Sequence, residues 1–157
     1  PHQDLHAGAA VAVLQADIPS LTEEMFNAVA SFAAARDFSE QYGFSDKEHD
    51  RFFTNLKGEP LAPIKTKGYW RTEVGKGANF NYWYSGFLTT VGERMGWSIE
   101  KTGQATDRYR ERFAVAEDWR VDQIHRLQLN GYLELPDGHR RFRHEATHSP
   151  ESRASIR

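Results

Sequence analysis

At 157 residues without a single cysteine, the chain has the length of one domain and excludes a disulfide framework and a thiolate metal site. Its 39% apolar and 27% charged content is that of an ordinary globular protein, and no apolar run reaches the length of a membrane span. The net charge of −2 is unevenly spread: residues 1–60 hold four Lys/Arg against ten Asp/Glu, residues 61–157 sixteen against twelve.

Asp4 is placed to cap a helix from Leu5 to about Gln15, apolar enough to be buried. Ser20 and Glu23 have capping-box spacing ahead of Met25, Phe26, Val29, Phe32 and Ala33, and Ser45 with Glu48 repeats the box before Phe52, Phe53 and Leu56. Pro60, Pro63 and two glycines predict an exposed loop from Lys57 to Gly68. A long helix is predicted from Trp70 to Met95, weakened by Gly75, Gly77, Gly86 and Gly92. The next begins near Ser98 or Glu100 and passes Tyr109 and Phe113, then either continues or restarts through Trp119, Ile124 and Leu127. Asn130-Gly131 reads as a helix stop, and Leu133–Leu135 with Arg140–Phe142 as a short hairpin. The expected class is mainly α with one β-hairpin, and the four tryptophans are expected in the core or in helix packing, with Trp83 the one expected to be partly exposed.

The stretch Arg71-Thr-Glu-Val-Gly-Lys76-Gly-Ala-Asn79-Phe80-Asn-Tyr-Trp-Tyr84 is the most informative. Lys76, Phe80 and Tyr84 are spaced by four and share one helix face. An ammonium followed by two rings suits a nucleotide, the charge holding phosphate and the rings stacking on a base. Spacing alone also allows Phe80 and Tyr84 to be core with Lys76 on the surface.

Lys76-x3-Phe80-x3-Tyr84, with Asn79 before the Phe, resembles motif B of family A DNA polymerases, the bacterial DNA polymerase I type. Asp4-Leu5-His6-Ala-Gly resembles the Asp-Ile-His that opens that family's fingers. Asp107-Arg-Tyr109-Arg-Glu-Arg-Phe113, then Asn130-Gly-Tyr132-Leu-Glu-Leu-Pro-Asp-Gly138-His-Arg140-Arg141, resembles its aromatic-rich helix and Gly-Tyr-Val-Glu-Thr…Gly-Arg-Arg block. The three blocks occur in the family's order. The resemblance implies a bacteriophage-like fingers region over residues 1–130, with an insertion in 17–67, and a hairpin and return segment toward the palm over 131–157. Between Asp17 and Lys67 the chain is roughly forty residues longer than bacterial members.

The resemblance also implies roles. Lys76 would grip the triphosphate and protonate the departing pyrophosphate; Phe80 would pack on sugar and base, disfavouring substrates that lack a 3′-hydroxyl. Tyr84 would lie by the templating base, His6 near the β-phosphate, and Arg140 and Arg141 along the primer–template backbone. The family has an Arg four residues before the Lys. This chain has Thr72 there, so Arg71, one position earlier, binds nucleotide only if local helix phase brings it round. Asn81 and Ser85 stand where the family has glycines.

The implied activity is that of a DNA-directed nucleotidyltransferase in DNA replication, with dNTP, primer–template DNA and the polymerase's palm and thumb as partners. The carboxylates that hold its Mg2+ belong to motifs A and C, outside the matched blocks. No metal ligands are therefore expected here, and this segment by itself is expected to be inactive. Pro1 in place of an initiator Met fits an excised segment, and the expected location is the cytoplasm, with no membrane partner.

His144-Glu145-Ala146-Thr147-His148 matches the zinc-protease pattern HExxH, but it follows a predicted strand and precedes Pro150. Gly75-Lys76-Gly77 lacks the earlier glycine and the hydroxyl residue of a P-loop. Two other readings are the fingers of a single-subunit RNA polymerase, and a non-catalytic helical module that binds nucleic acid through its basic second part.

Overall fold

Asp4 starts the first helix by accepting the backbone N–H groups of His6 and Ala7 at 3.1 and 3.2 Å, and α1 (Leu5–Leu14) continues from it as predicted. The computed structural model describes residues 4–135 and 137–142. These divide into two compact units, one up to Arg112 and the other from Phe113 on. α1 is apolar all round, and residues 7–14 are all buried, which makes it the central helix of the first unit.

α2 (Glu23–Ala28) is capped by Thr22, whose hydroxyl accepts from the Met25 N–H at 3.2 Å. The expected cap, Ser20, instead donates to the Glu48 carboxylate at 3.2 Å. The chain first has to bury Ile18 and Leu21 completely, and only beyond Leu21 is it free to turn helical. A short 3-10 turn, Val29–Ser31, leads to α3 (Ala35–Tyr42) and α4 (Asp46–Phe53). At α4 the predicted capping box is complete: Ser45 accepts from the Glu48 N–H, and Glu48 accepts from the Ser45 N–H. Around Phe38 the rings of Phe32, Tyr42, Phe44, Phe52 and Phe53 lie at centroid distances of 4.7 to 5.6 Å. The stretch read as an insertion thus supplies an aromatic core of its own.

The predicted loop from Lys57 to Gly68 is cut short. Pro63 occupies the first turn of α5 (Pro63–Trp70), where its missing N–H has no intrahelical partner to lose. The helix continues through a π-helical segment, Arg71–Lys76, into α6 (Gly77–Ser85). It stops earlier than the predicted Met95, because Gly86 takes a left-handed conformation (φ 73°) that ends α6. α7 (Thr89–Met95) and α8 (Ile99–Arg112) complete the unit. Trp70, fully buried, donates its indole N–H to the Phe52 carbonyl at 2.8 Å, tying α5 to the aromatic core.

In the second unit the helix restarts at Phe113, and α9 (Ala114–Asn130) ends on Gly131 (φ 76°) as predicted. β1 (Tyr132–Glu134) pairs antiparallel with β2 (Arg140–Phe142), one residue earlier in the first strand than expected, with Leu133 opposite Arg141. The architecture is mainly α with one short hairpin near the C-terminus. No residue of α9 is buried, and Trp119, expected in the core or in helix packing, is 64% exposed. His144–His148 lies outside the described residues. Among the described residues no helix is long and apolar enough to cross a membrane.

Candidate functional site

The helical run from Pro63 to Ser85 presents two unlike faces. Ala78 and Tyr82 of α6 are buried, and the Tyr82 hydroxyl accepts from Arg110 at 3.1 Å. On the other side Lys76 is exposed, with Phe80 at 64% and Tyr84 at 87% exposure. The reading of Phe80 and Tyr84 as core is therefore overturned: ammonium and rings form one stripe along successive turns, facing solvent. Trp83, at 40%, flanks it. The stripe is an open surface. A groove of about 720 Å³ lies elsewhere in the unit, lined by Gly8, Gln15, Glu23, Gln104, Asp107 and Arg108, and holds none of the stripe's residues.

α1 crosses the helical run at Gly75. A Cβ there would sit 2.0 Å from the His6 carbonyl oxygen, so only glycine lets the two backbones approach this closely. Two polar links flank this crossing. Arg71 Nε donates to Asp4 Oδ2 at 2.7 Å. Asn79 Nδ2 lies 2.7 Å from His6 Nδ1, and the Tyr109 hydroxyl donates to Asn79 Oδ1 at 2.5 Å. Partial burial pushes the Asp4 carboxyl up, but the Arg71 hydrogen bond and charge, with the helix-cap N–H groups, outweigh it and hold it below its ordinary 3.8.

The π-helical segment decides the position of Arg71. Each π hydrogen bond spans five residues instead of four, so residues i and i+5 there stand as i and i+4 do in an α-helix. Arg71 and Lys76 are five apart and delimit that segment. Thus the arginine displaced by one position in sequence comes round to the phase of a residue four before Lys76. His6 and Arg71 lie where α1 meets the helical run, held by Asn79 and Asp4, while Lys76, Phe80 and Tyr84 stand on the exposed side of that run.

Asn81 and Ser85 close α6 and start α7. The Ser85 hydroxyl oxygen lies 2.7 Å from both the Asn81 and the Phe87 carbonyl oxygens and shares its single proton between them, and Asn81 Oδ1 accepts from the Thr90 N–H at 3.0 Å. In the second unit Arg140 pairs with Glu134 at 3.2 Å and lies over the Tyr132 ring at 4.7 Å, while Arg141 is exposed. Sequence reading missed Tyr109 as a polar partner of the site and Asp4 as the partner of Arg71. The available signal for Tyr109 was that a buried tyrosine needs a hydrogen-bond partner for its hydroxyl. Among the described residues no group of three or more His, Asp or Glu stands in position to hold a metal ion. Comparison with protein-family models, curated proteins and solved structures gives no match to this chain.

Proposed function

We propose that the chain is the fingers segment of a template-directed DNA polymerase resembling family A, binding the incoming dNTP and the templating base. One observation carries this reading: Lys76, Phe80 and Tyr84 form a solvent-facing stripe, on the same helical run that holds Arg71 and, through Asn79, His6. The Lys76 ammonium suits a phosphate group; two exposed rings in line with it suit a sugar and its base. The phase shift at the π-helical segment supports Arg71 as the phosphate-binding arginine.

In the reaction, the primer 3′-hydroxyl forms a bond to the α-phosphorus as the bond to pyrophosphate breaks. Lys76 gives its proton to the departing oxygen, general acid catalysis of this kind supplying about 10²–10⁴-fold. Magnesium would be held by carboxylates outside this chain, so binding without primer extension is the expected behaviour of the segment alone. Arg140 and Arg141 are proposed to contact the primer–template backbone.

The test is a binding titration of the chain with dATP and magnesium, monitored by tryptophan fluorescence. Lys76→Ala should weaken dATP binding about 10- to 100-fold, the weight of charge-assisted hydrogen bonds, and leave DNA affinity unchanged. Parallel loss of DNA and dATP binding, or DNA binding with no dATP response, would point to a nucleic-acid-binding module instead. Equal affinity for ATP and dATP would favour the RNA polymerase reading.

A further inference from the structure

The polar chain from Tyr109 through Asn79 to His6 has a direction. The Tyr109 hydroxyl donates to the Asn79 amide oxygen, which turns the amide nitrogen toward Nδ1 of His6. An amide NH2 only donates, so Nδ1 meets it with a lone pair, and the neutral ring then carries its proton on Nε2. We propose that Asn79 and Tyr109 are positioning residues that hold His6 in this Nε2–H tautomer, so that the ring offers an N–H donor to an anionic polyphosphate. The ligand in this inference rests on the nucleotide reading above; the tautomer does not.

The surroundings restrict each member of the chain. Tyr109 is fully buried, its ring 4.7 Å from that of Tyr82, so its hydroxyl has a fixed position. The Asn79 amide is engaged at both ends, and the His6 backbone is pinned against Gly75. The opposite polarity would matter chemically. With the amide turned over, its oxygen would require Nδ1–H, and Nε2 would become a lone pair repelling phosphate oxygens. The tautomer therefore decides whether neutral His6 attracts or repels the ligand, and the Asn79–Tyr109 pair sets it.

Nitrogen-15 spectra of the imidazole, assigned with His6→Ala, read the tautomer directly. The wild-type chain should show Nε2–H. Asn79→Asp has the same shape but can only accept, so it should switch the ring to Nδ1–H; Tyr109→Phe leaves the amide free to turn and should give a mixture. Affinities for magnesium–dATP and for inorganic tripolyphosphate should fall about fivefold to tenfold in Asn79→Ala and in His6→Ala, with Asn79→Ala adding nothing once His6 is gone. Wild-type Nδ1–H, a tautomer unmoved by Asn79→Asp, or undiminished affinity in Asn79→Ala overturns the proposal. If the tautomer responds as expected but neither anion binds wild type, the positioning pair stands and the nucleotide reading falls.

Discussion

Gly75 and Gly77 look alike in the sequence, yet the structure gives them opposite tolerance. At Gly75 an added Cβ would meet the His6 backbone at 2.0 Å, and a carbonyl in the first turn of α1 has little freedom to retreat. At Gly77 it would make an ordinary 3.5 Å contact with Val91. Gly75→Ala should therefore destabilise by about 3 kcal/mol through overpacking and disturb the His6 tautomer, whereas Gly77→Ala should be neutral or stabilise by up to about 1 kcal/mol through helix propensity. Urea denaturation of both variants checks this; equal effects would sink the close-approach argument. Such differences were not legible in the sequence, because they depend on contacts between residues far apart along the chain. Lys76, Phe80 and Tyr84 were legible as a stripe, since spacing by four is local geometry. Their exposure was not, because rings at helical intervals read the same whether they face a core or solvent. Asp4 shows the boundary within one residue: its role as helix cap comes from neighbouring sequence, its pairing with Arg71 from tertiary contact.

At the scale of elements, local signals located several helix ends. The Ser45–Glu48 box and the stop at Gly131 depend only on adjacent residues, and both occur as predicted. Ser20 failed as a cap because burial of Leu21 moved the cap to Thr22, a tertiary demand on a local motif. The π-helical segment has no such signal, and its effect is to carry one extra residue without rotating α6 about the helix axis. Deleting Thr72, which is exposed, should let Arg71–Lys76 relax to α-helix with arginine and lysine four apart. Magnesium–dATP affinity should then stay within about threefold of wild type, a difference under about 1 kcal/mol. Deleting Asn81 removes a residue from regular α-helix, turns Tyr84 off the Phe80 face, and should cost the base-stacking share of affinity, about 1–3 kcal/mol per ring. If the two deletions weaken binding equally, the extra-residue account of the π segment is wrong.

Across the first unit, Asp17 joins elements far apart in sequence. It accepts from Arg51 of α4 at 2.6 Å, from the Trp97 indole at 3.0 Å, and from Lys101 of α8. The stretch read as an insertion is thus bound to the rest of the unit by a half-buried ion cluster as well as by Trp70 and the aromatic core. Burial pushes the Asp17 carboxyl up, but the hydrogen bond from Lys101 and the charge and hydrogen bond of Arg51 outweigh it, so the folded value lies below the ordinary 3.8. A carboxyl depressed on folding stabilises fully above its unfolded value, and the contribution is lost as pH falls through the folded one. Asp17→Asn keeps the shape and removes the charge, leaving Arg51 and Lys101 without their counter-ion; at pH 7 it should cost on the order of 2–3 kcal/mol, below the figure for a fully buried pair because both cations are partly exposed. Asp4 and Glu48 are depressed as well, Glu48 chiefly by the Ser45 backbone N–H, so wild type and variant should both weaken in acid. The difference between them isolates Asp17: in urea titrations it should be constant from pH 7 to about 5, begin to close near 3.8, and shrink further below it. A gap that persists unchanged at about pH 2.5 would assign the loss in Asp17→Asn to packing and not to charge.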